Sequence, residues 1–258
     1  MGILNKFLNL TPFYKSYKKL RTDRAVMSHQ KMEAKLLPLR TAFYKQFINP
    51  TDLVFDVGAN EGNRVHPFLA CYARVIAVEP QPSCIDILHK KFGDKIIIEN
   101  VGLSDEPGEL EMSIASDSTI SSFSKDFIKK TEKRFEFSKW EKTIQVPVTT
   151  LDHMIEKYGV PNFCKIDVEG FELQVLKGLH SQIPLLSFEY CIPEMQDLLL
   201  SCLQYANTLT PEAKYNYSVG ETMSMALVEW KSYADFIKMV NKAPFAKSLF
   251  GDIYIRSR

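Results

Sequence analysis

The sequence predicts a doubly wound α/β domain, with a mostly parallel sheet and helices on both faces. From Leu53 onward, short apolar runs alternate with amphipathic segments, which is the pattern of strand–helix units in a parallel sheet. A glycine-containing loop, Asp56–Gly62, joins the first apolar run to the first helical segment, as in nucleotide-binding folds. The chain has 258 residues, 45% of them hydrophobic, which is enough for one large domain with an extension.

Each strand is assigned to a short run of apolar residues bounded by polar or turn residues, and each helix to a longer segment with apolar residues on one face. The strands are expected at Leu53–Val57, Val75–Val78, Ile96–Glu99, Phe163–Val168, Leu185–Tyr190 and Asp252–Arg256. The helices are expected at Arg64–Tyr72, Ser83–Phe92, Leu151–Tyr158, Phe171–Leu179 and Glu194–Tyr205.

Residues 101–148 interrupt this alternation. Glu109–Ile114 and Ile144–Val148 are predicted to form extra antiparallel strands. Between them, the serine-rich segment Ala115–Ser124 and the charged segment Lys125–Lys142 are expected to form a solvated connecting loop. The alternative is a lid or an acceptor-binding role, because function often resides in such insertions.

Residues 1–48 are predicted to form a basic helical extension that precedes the domain at residues 49–258. They hold ten basic and two acidic residues, a formal charge of +8. The helical stretch at residues 28–47 is expected to be interrupted at Pro38. The apolar stripe of the whole segment, in which Ile3, Leu4, Phe7, Leu8 and Leu10 fall at helical spacing, is expected to pack on its own domain or on a partner subunit, as in a homodimer. Weak contact with an anionic membrane surface is the alternative.

Composition excludes several classes of protein. The net charge of +1 provides no global field for nucleic acid. The five cysteines form no C-x-x-C pair, which favours reduced thiols in a cytoplasmic protein over disulfides or a zinc site. No apolar run approaches the roughly 20 residues of a membrane span.

The acid that opens the glycine loop indicates which nucleotide is bound. A carboxylate at Asp56 would repel the pyrophosphate of a dinucleotide, whereas it would attract the ammonium and sulfonium of S-adenosylmethionine. The glycine spacing, Gly58-x-x-x-Gly62, also differs from the G-x-G-x-x-G of dinucleotide folds. The loop therefore predicts an S-adenosylmethionine site, with an NAD-type oxidoreductase as the alternative.

A second acid lies at the end of the next predicted strand. Glu79 follows Asp56 by 23 residues (79 − 56), close to the roughly 20 expected of an acid that binds the ribose. One carboxylate can accept hydrogen bonds from both ribose hydroxyls. Either acid alone could be a turn cap or an exposed strand end, but the pair at this spacing favours a nucleotide site.

A third group of acids follows the later strands. Asp167 and Glu169 lie two residues apart, so they share a face if the strand at Phe163–Val168 persists, and they lie near its carboxyl end. Open α/β sheets bind ligands at that edge. Glu189 ends the next strand, where it is expected to lie beside them or to pair with Lys165 across the adjacent strands.

With these motifs, the chain resembles the FkbM-type family of S-adenosylmethionine-dependent methyltransferases. The resemblance extends over about residues 45–256. It implies a class I methyltransferase fold, with a Rossmann-like, mostly parallel seven-stranded sheet. It also implies O-methylation of a hydroxyl on a sugar, glycan or secondary metabolite. The matching motifs are D-V-G-A-N-x-G at Asp56–Gly62, E-P at Glu79-Pro80, L-S-D at Leu103–Asp105 with Gly108, T-L-D at Thr150–Asp152, K-I-D-V-E-G at Lys165–Gly170, and Glu189.

The resemblance also implies roles for individual residues. The methionine end of the donor would be lined by Asp56, Gly58, Ala59 and Asn60, the ribose would be held by Glu79 beside Pro80, the adenine would be bordered by Asn100 and Val101, and Asp167 would face both donor and acceptor. The chain departs from the family pattern at Asn63–Pro67, so the next helix is expected to begin late, at Pro67, and polar side chains are expected to reach the pocket.

Methyl transfer from a sulfonium requires the acceptor oxygen about 3 Å from the methyl carbon, opposite sulfur, with water excluded. An alcohol also needs a general base or a metal to take up or weaken its proton. Asp167, Glu169 and Glu189 are the predicted catalytic residues, and His66 and His153 are the alternatives. Metal-free catalysis is preferred, although the three carboxylates could bind a divalent cation. A binding protein that keeps the donor pocket without catalysis is a further alternative.

Overall fold

The structure is a computed structural model that describes residues 34–257. Within this range the strands are β1 (Leu53–Val57), β2 (Arg74–Val78), β3 (Ile97–Glu99), β4 (Gly102–Leu103), β5 (Gly108–Ala115), β6 (Trp140–Thr149), β7 (Phe163–Ile166), β8 (Leu185–Cys191), β9 (Lys214–Val219), β10 (Lys231–Ser232) and β11 (Phe250–Arg256). The helices are α1 (34–44), α2 (Val65–Ala70), α3 (Pro82–Phe92), α4 (Lys125–Thr131), α5 (Leu151–Tyr158), α6 (Glu172–Lys177), α7 (Gln196–Leu209) and α8 (Tyr233–Val240).

The main sheet in the described residues has eight strands in the order β10-β9-β11-β8-β7-β1-β2-β3. The strands β8, β7, β1, β2 and β3 are parallel, whereas β11 runs antiparallel between β8 and β9. The predicted doubly wound, mostly parallel fold is confirmed. The strand beyond the expected seven, β10, has only two residues and pairs with the outer edge of β9.

Both faces of this sheet are covered by helices, so its central strands are apolar on both sides. One face packs against α5, α6, α7 and α8, with Phe55 and Val57 pointing into that layer. The other packs against α1, α2 and α3, with Val54 pointing into it. Phe43 and Tyr44 of α1 are fully buried in the second layer. Residues 34–48, the described end of the predicted extension, therefore pack on their own domain, and the rest of that prediction, residues 1–33, lies outside the described residues.

The sequence prediction omitted the short strands β4 and β10 as well as β9, α4 and α8. The buried residues of β9 include Asn216 and Ser218 as well as Tyr215 and Tyr217, so the strand lacks the apolar run that marks the others. The tyrosine rings supply the buried apolar area instead.

Two expectations about prolines are wrong. Helix α1 continues through Pro38, which removes only the hydrogen bond to the carbonyl of residue 34, while Phe43 and Tyr44 anchor the helix in the core. Helix α2 begins at Val65 rather than Pro67, because a proline in the first turn loses an N–H that has no partner within the helix.

The segment 101–148 forms a second, three-stranded sheet in the order β4-β6-β5. The predicted antiparallel pair is confirmed as β5 and β6. The expected solvated loop between them is wrong, because it contains a 3₁₀ turn at Ser118–Ile120 and helix α4, and it buries Ile120 and Phe127. The serines of this segment satisfy backbone groups that would otherwise be buried without partners. No helix in residues 34–257 has the length and apolar character that crossing a membrane requires.

Candidate active site

A cavity of about 340 Å³ lies at the carboxyl ends of β1, β2 and β7, where an open α/β sheet binds ligands. It brings together most of the residues that the sequence predicted. These are Asp56, Gly58, Ala59, Asn60, Glu79, Pro80, Val101, Asp167, Glu169 and Glu189. Asn100 is exposed and does not line the cavity in the described structure.

The loop after β1 is shaped by one glycine. Gly58 has φ +81°, and a Cβ built there would lie 1.8 Å from the carbonyl oxygen of Asp167. Only glycine therefore allows the loops after β1 and β7 to approach each other this closely. The N–H groups of Gly58 and Ala59 both donate to the Val78 carbonyl, at 2.9 and 3.1 Å, which ties the loop to β2.

Glu79 is held by two backbone N–H groups. Asn60 N donates to its Oε2 at 2.7 Å, and Gln81 N donates to its Oε1 at 2.8 Å. Burial raises the pKa of Glu79 to about 6, although these hydrogen bonds and one from the Gln81 side chain oppose the rise. Each oxygen keeps a second lone pair, so the fixed carboxylate can still accept two ligand hydroxyls. Glu79 is 2% exposed and is not the exposed strand end considered above.

Asp56, unlike Glu79, has a carboxylate oxygen that accepts no hydrogen bond from the described residues. It is 2% exposed, and its Oδ2 has no hydrogen-bond partner among residues 34–257. Burial raises the pKa of Asp56 to about 7, while the positive charges of Lys165 and Arg64 oppose this rise. A buried carboxylate oxygen without a partner, beside a cavity, favours a cationic ligand.

Lys165 is a buried cation next to the acids. Its Nζ lies 2.7 Å from Asp167 Oδ2 and 3.3 Å from Asp252 Oδ1. Glu189 lies beside the other two acids, and the alternative, an ion pair of Glu189 with Lys165, is wrong because Asp252 takes that place. Asp252 could not be found from local sequence, because only the antiparallel register of β11 against β8 places it opposite Glu189.

Three acids converge at the far side of the cavity. Asp167, Glu169 and Glu189 each offer a carboxylate oxygen, and these oxygens all lie within 4.8 Å of one another. Burial and the negative charge of Asp167 hold the pKa values of Glu169 and Glu189 well above the usual range. Such a cluster can hold a proton near neutral pH, and its oxygens are also the ligand type that Mg²⁺ or Ca²⁺ prefers.

The second sheet closes the cavity. Ser118 Oγ lies 3.3 Å from Asn60 Nδ2, and the Ser118 carbonyl accepts a hydrogen bond from Gln81 Nε2 at 3.1 Å. Ser122 Oγ donates to the Glu169 carbonyl at 2.6 Å. The segment 101–148 therefore touches both the β1 loop and the acidic cluster, which the loop prediction did not anticipate.

Two arginines and a glutamate lie at the mouth. Arg64 forms a two-pronged ion pair with Glu221, at 2.8 and 2.5 Å, and Arg40 Nη2 lies 3.1 Å from the same carboxylate. Burial alone would raise the pKa of Glu221, but the bonds and charges of these arginines outweigh it and lower the pKa to about 2. Asn63 and Arg64 line the cavity, so the expectation that polar side chains of this helix start reach the pocket is confirmed.

The two histidines lie elsewhere. His66 is exposed on α2, with its ring against Phe92, and His153 is exposed on α5. Neither lines the cavity in the described structure. The carboxylates are therefore the titratable groups that this arrangement places nearest to a bound ligand.

A sequence model described as "Methyltransferase FkbM domain" matches residues 56–219, well over half of the chain. The chain belongs to the FkbM methyltransferase family. This FkbM methyltransferase is an enzyme that depends on S-adenosylmethionine, and the NAD-type alternative is set aside. A search of curated protein sequences finds no match.

Several solved structures are similar to this FkbM methyltransferase, each at low identity. A TehB-like SAM-dependent methyltransferase from Corynebacterium glutamicum has 10% identity and a TM-score of 0.43, covering 85% of this chain and 88% of its own. A precorrin-6y C5,15-methyltransferase from Geobacter metallireducens has 10% identity and a TM-score of 0.41, with coverages of 88% and 87%. An rRNA methylase from Streptococcus thermophilus has 9% identity and a TM-score of 0.41, with coverages of 84% and 92%. Similarities this distant carry no conclusion about the acceptor.

Proposed function

We propose that this FkbM methyltransferase transfers the methyl group of S-adenosylmethionine to a hydroxyl of a sugar, glycan or secondary metabolite. The observation that supports the proposal is the cluster of Asp167, Glu169 and Glu189 beside the cavity. An alcohol must lose its proton as the new C–O bond forms, and a crowded carboxylate cluster is a suitable acceptor for that proton.

In this proposal, the donor lies across the carboxyl ends of β1 and β2. The unpartnered Asp56 oxygen faces the ammonium or sulfonium, and the loop Gly58–Asn60 surrounds the methionine. Glu79, beside Pro80, accepts the ribose hydroxyls. Val101 borders the adenine, and Asn100, which is exposed, stays outside the contact.

The catalytic roles follow from how each acid is supported. Asp167 is fixed by Lys165, so it orients donor and acceptor. Glu169 and Glu189 supply the proton acceptor: one carboxyl group of this crowded cluster holds a proton near neutral pH, and the other, still ionised, is a stronger base than an ordinary carboxylate. In this proposal the three carboxylates bind and deprotonate the acceptor without a metal ion. After transfer, the acceptor's proton resides on the cluster and the donor leaves as a neutral thioether.

The acceptor enters from the mouth of the cavity beside Phe250. This ring is 45% exposed and lines the opening, near Gly220. An aromatic face next to carboxylates is a suitable surface for a polyhydroxyl compound, because the ring contacts C–H groups while the acids accept hydroxyls.

Two measurements test the proposal. Calorimetric titration with S-adenosylmethionine, S-adenosylhomocysteine and NAD should give binding of the two sulfur ligands only, and Asp56→Ala should lose it. Transfer of labelled methyl from the donor should then be measured over a panel of sugars, glycans, polyketides, amines and RNA. Label on hydroxyls supports the proposal. Label on nitrogen or RNA contradicts it, and donor binding without transfer to any compound supports the inactive binding protein.

A further inference from the structure

Gln81 has a buried side-chain amide at the adenosine side of the cavity, and it takes part in none of the donor contacts proposed above. It follows the Glu79-Pro80 motif and precedes α3, and it is 4% exposed. Its backbone N–H donates to Glu79, whereas its side chain makes no capping hydrogen bond to α3. The side-chain NH₂ also interacts with the Glu79 carboxylate, whose pKa it helps to lower, so the side-chain oxygen is the atom available to the cavity that Gln81 lines.

The orientation of this amide is fixed by the 3₁₀ turn at Ser118–Ile120. Gln81 Nε2 lies 3.1 Å from the Ser118 carbonyl oxygen, which can only accept a hydrogen bond. The NH₂ end must therefore point at Ser118, and the oxygen end is the remaining acceptor. Gln81 Oε1 is buried and has no hydrogen-bond partner among residues 34–257. A buried acceptor of this kind is unfavourable unless a ligand supplies a donor.

We propose that Gln81 Oε1 accepts a hydrogen bond from the 6-amino group of the donor's adenine. This inference rests on the placement of the donor described above. The adenosine part has hydrogen-bond donors only on its two ribose hydroxyls and its 6-amino group. The two oxygens of Glu79 match the hydroxyls, since each is held in place by a backbone N–H. The 6-amino group is the hydrogen-bond donor that remains for Gln81 Oε1.

Adenine recognition then depends on the segment 101–148. The Ser118 carbonyl orients Gln81, and Met112 and Phe123 from the same segment supply apolar cavity walls suited to the faces of a purine. The segment 101–148 would therefore contribute to selectivity for the adenine of the methyl donor, as well as cover the cavity.

The test compares two ligands in two proteins. Dissociation constants of S-adenosylhomocysteine and S-inosylhomocysteine, which carries a carbonyl oxygen in place of the 6-amino group, are measured by calorimetry on the full chain and on Gln81→Leu. The wild type should prefer the adenosine ligand by roughly tenfold or more, because the inosine oxygen would face Oε1. Gln81→Leu should lose this preference.

Gln145→Leu, the same change at an exposed glutamine on β6 that does not line the cavity, is the matched control, and the preference should remain. A 2′-deoxy analogue of S-adenosylhomocysteine should be weakened equally in wild type and Gln81→Leu. Gln81→Met serves the same purpose if the leucine variant does not fold.

Three results would overturn the inference: an unchanged preference in Gln81→Leu, an equal loss of affinity for every ligand, or a preference that changes only with the 2′-deoxy analogue, which would assign Gln81 to the ribose. Failure of the wild type to bind S-adenosylhomocysteine at all is a different result. It would contradict the proposed donor site itself rather than the role of Gln81.

Discussion

The two acidic regions of the cavity differ in how their carboxylates are held. At the β1–β2 edge, Glu79 receives a backbone N–H on each oxygen, so its position is fixed and its charge is partly stabilised. At the β7–β8 edge, Glu169 and Glu189 face Asp167 and each other, and like charges raise their pKa values further. The first arrangement suits binding of a neutral sugar, and the second suits uptake of a proton.

Gly58 joins the two regions, so changing it should have the largest effect. Gly58→Ala places a Cβ against the Asp167 carbonyl in a backbone conformation that L residues rarely adopt. We expect donor binding and methyl transfer both to be lost, with a fall of about 2 kcal/mol or more in the free energy of unfolding. Calorimetry and urea unfolding measure the two effects. Gly108→Ala, where the added Cβ meets nothing, is the control. Normal donor affinity in Gly58→Ala would contradict the close approach of the loops.

Glu189→Gln, a change in the β7–β8 region, should impair catalysis but not donor binding. Loss of a proton acceptor is expected to lower kcat by about 10²–10⁴-fold, while the dissociation constant for S-adenosylhomocysteine changes little. Glu156→Gln, an exposed acid on α5, is the matched control. A large loss of donor affinity with normal kcat would assign Glu189 to the donor site instead.

Glu79→Gln should have the converse effect. The amide keeps the size of the side chain but presents an NH₂ group to one backbone N–H and loses the charge that accepts the ribose hydroxyls. We expect the dissociation constant for the donor to rise roughly tenfold to hundredfold, with a smaller change in kcat at saturating donor. If kcat fell and affinity were retained, the contrast between the two regions would be wrong.

The raised pKa of Asp56, about 7, predicts how stability depends on pH. Because the folded state binds this proton more tightly than the unfolded state, the stability associated with Asp56 should fall as pH rises from about 4 to about 7. Asp56→Asn, which cannot ionise, should be more stable than wild type at pH 8 by an amount on the order of 2 kcal/mol, and the difference should shrink at pH 5. Urea unfolding of the ligand-free protein at both pH values measures it. An equal difference at both would exclude titration of Asp56 as the cause.

Removal of metal should have the smallest effect. Since the acidic cluster is proposed to act as a base without an ion, treatment with EDTA should leave the rate of methyl transfer unchanged. The rate is measured before and after dialysis and again with added Mg²⁺. A loss that Mg²⁺ restores would convert Asp167, Glu169 and Glu189 from proton acceptors into metal ligands.

The sequence was sufficient to place the acids because each lies at the end of a strand that an apolar run reveals. Asp56, Glu79 and Asp167 need only their own strands and the rule that parallel strands end at one edge. The parallel part of the main sheet follows from the same alternation, whereas β9 was missed because its buried residues include polar ones.

The missed residues depend on contacts between distant parts of the chain. Asp252 reaches Lys165 only through the register of β11, and Ser118 reaches Gln81 only because the segment 101–148 folds over the cavity. Arg40 lies in α1 yet lines the mouth. No local pattern identifies such residues, because their neighbours in sequence are not their neighbours in space.

The helix α1 sets a practical limit on how the enzyme can be shortened. The family match begins at Asp56, but the ring of Tyr44 packs 4.7 Å from that of Phe68, and the ring of Phe43 packs 5.6 Å from that of Tyr254. A fragment trimmed to the matched region would uncover large aromatic side chains, and such surfaces promote aggregation. Fragments for expression or crystallisation should therefore keep α1 (34–44).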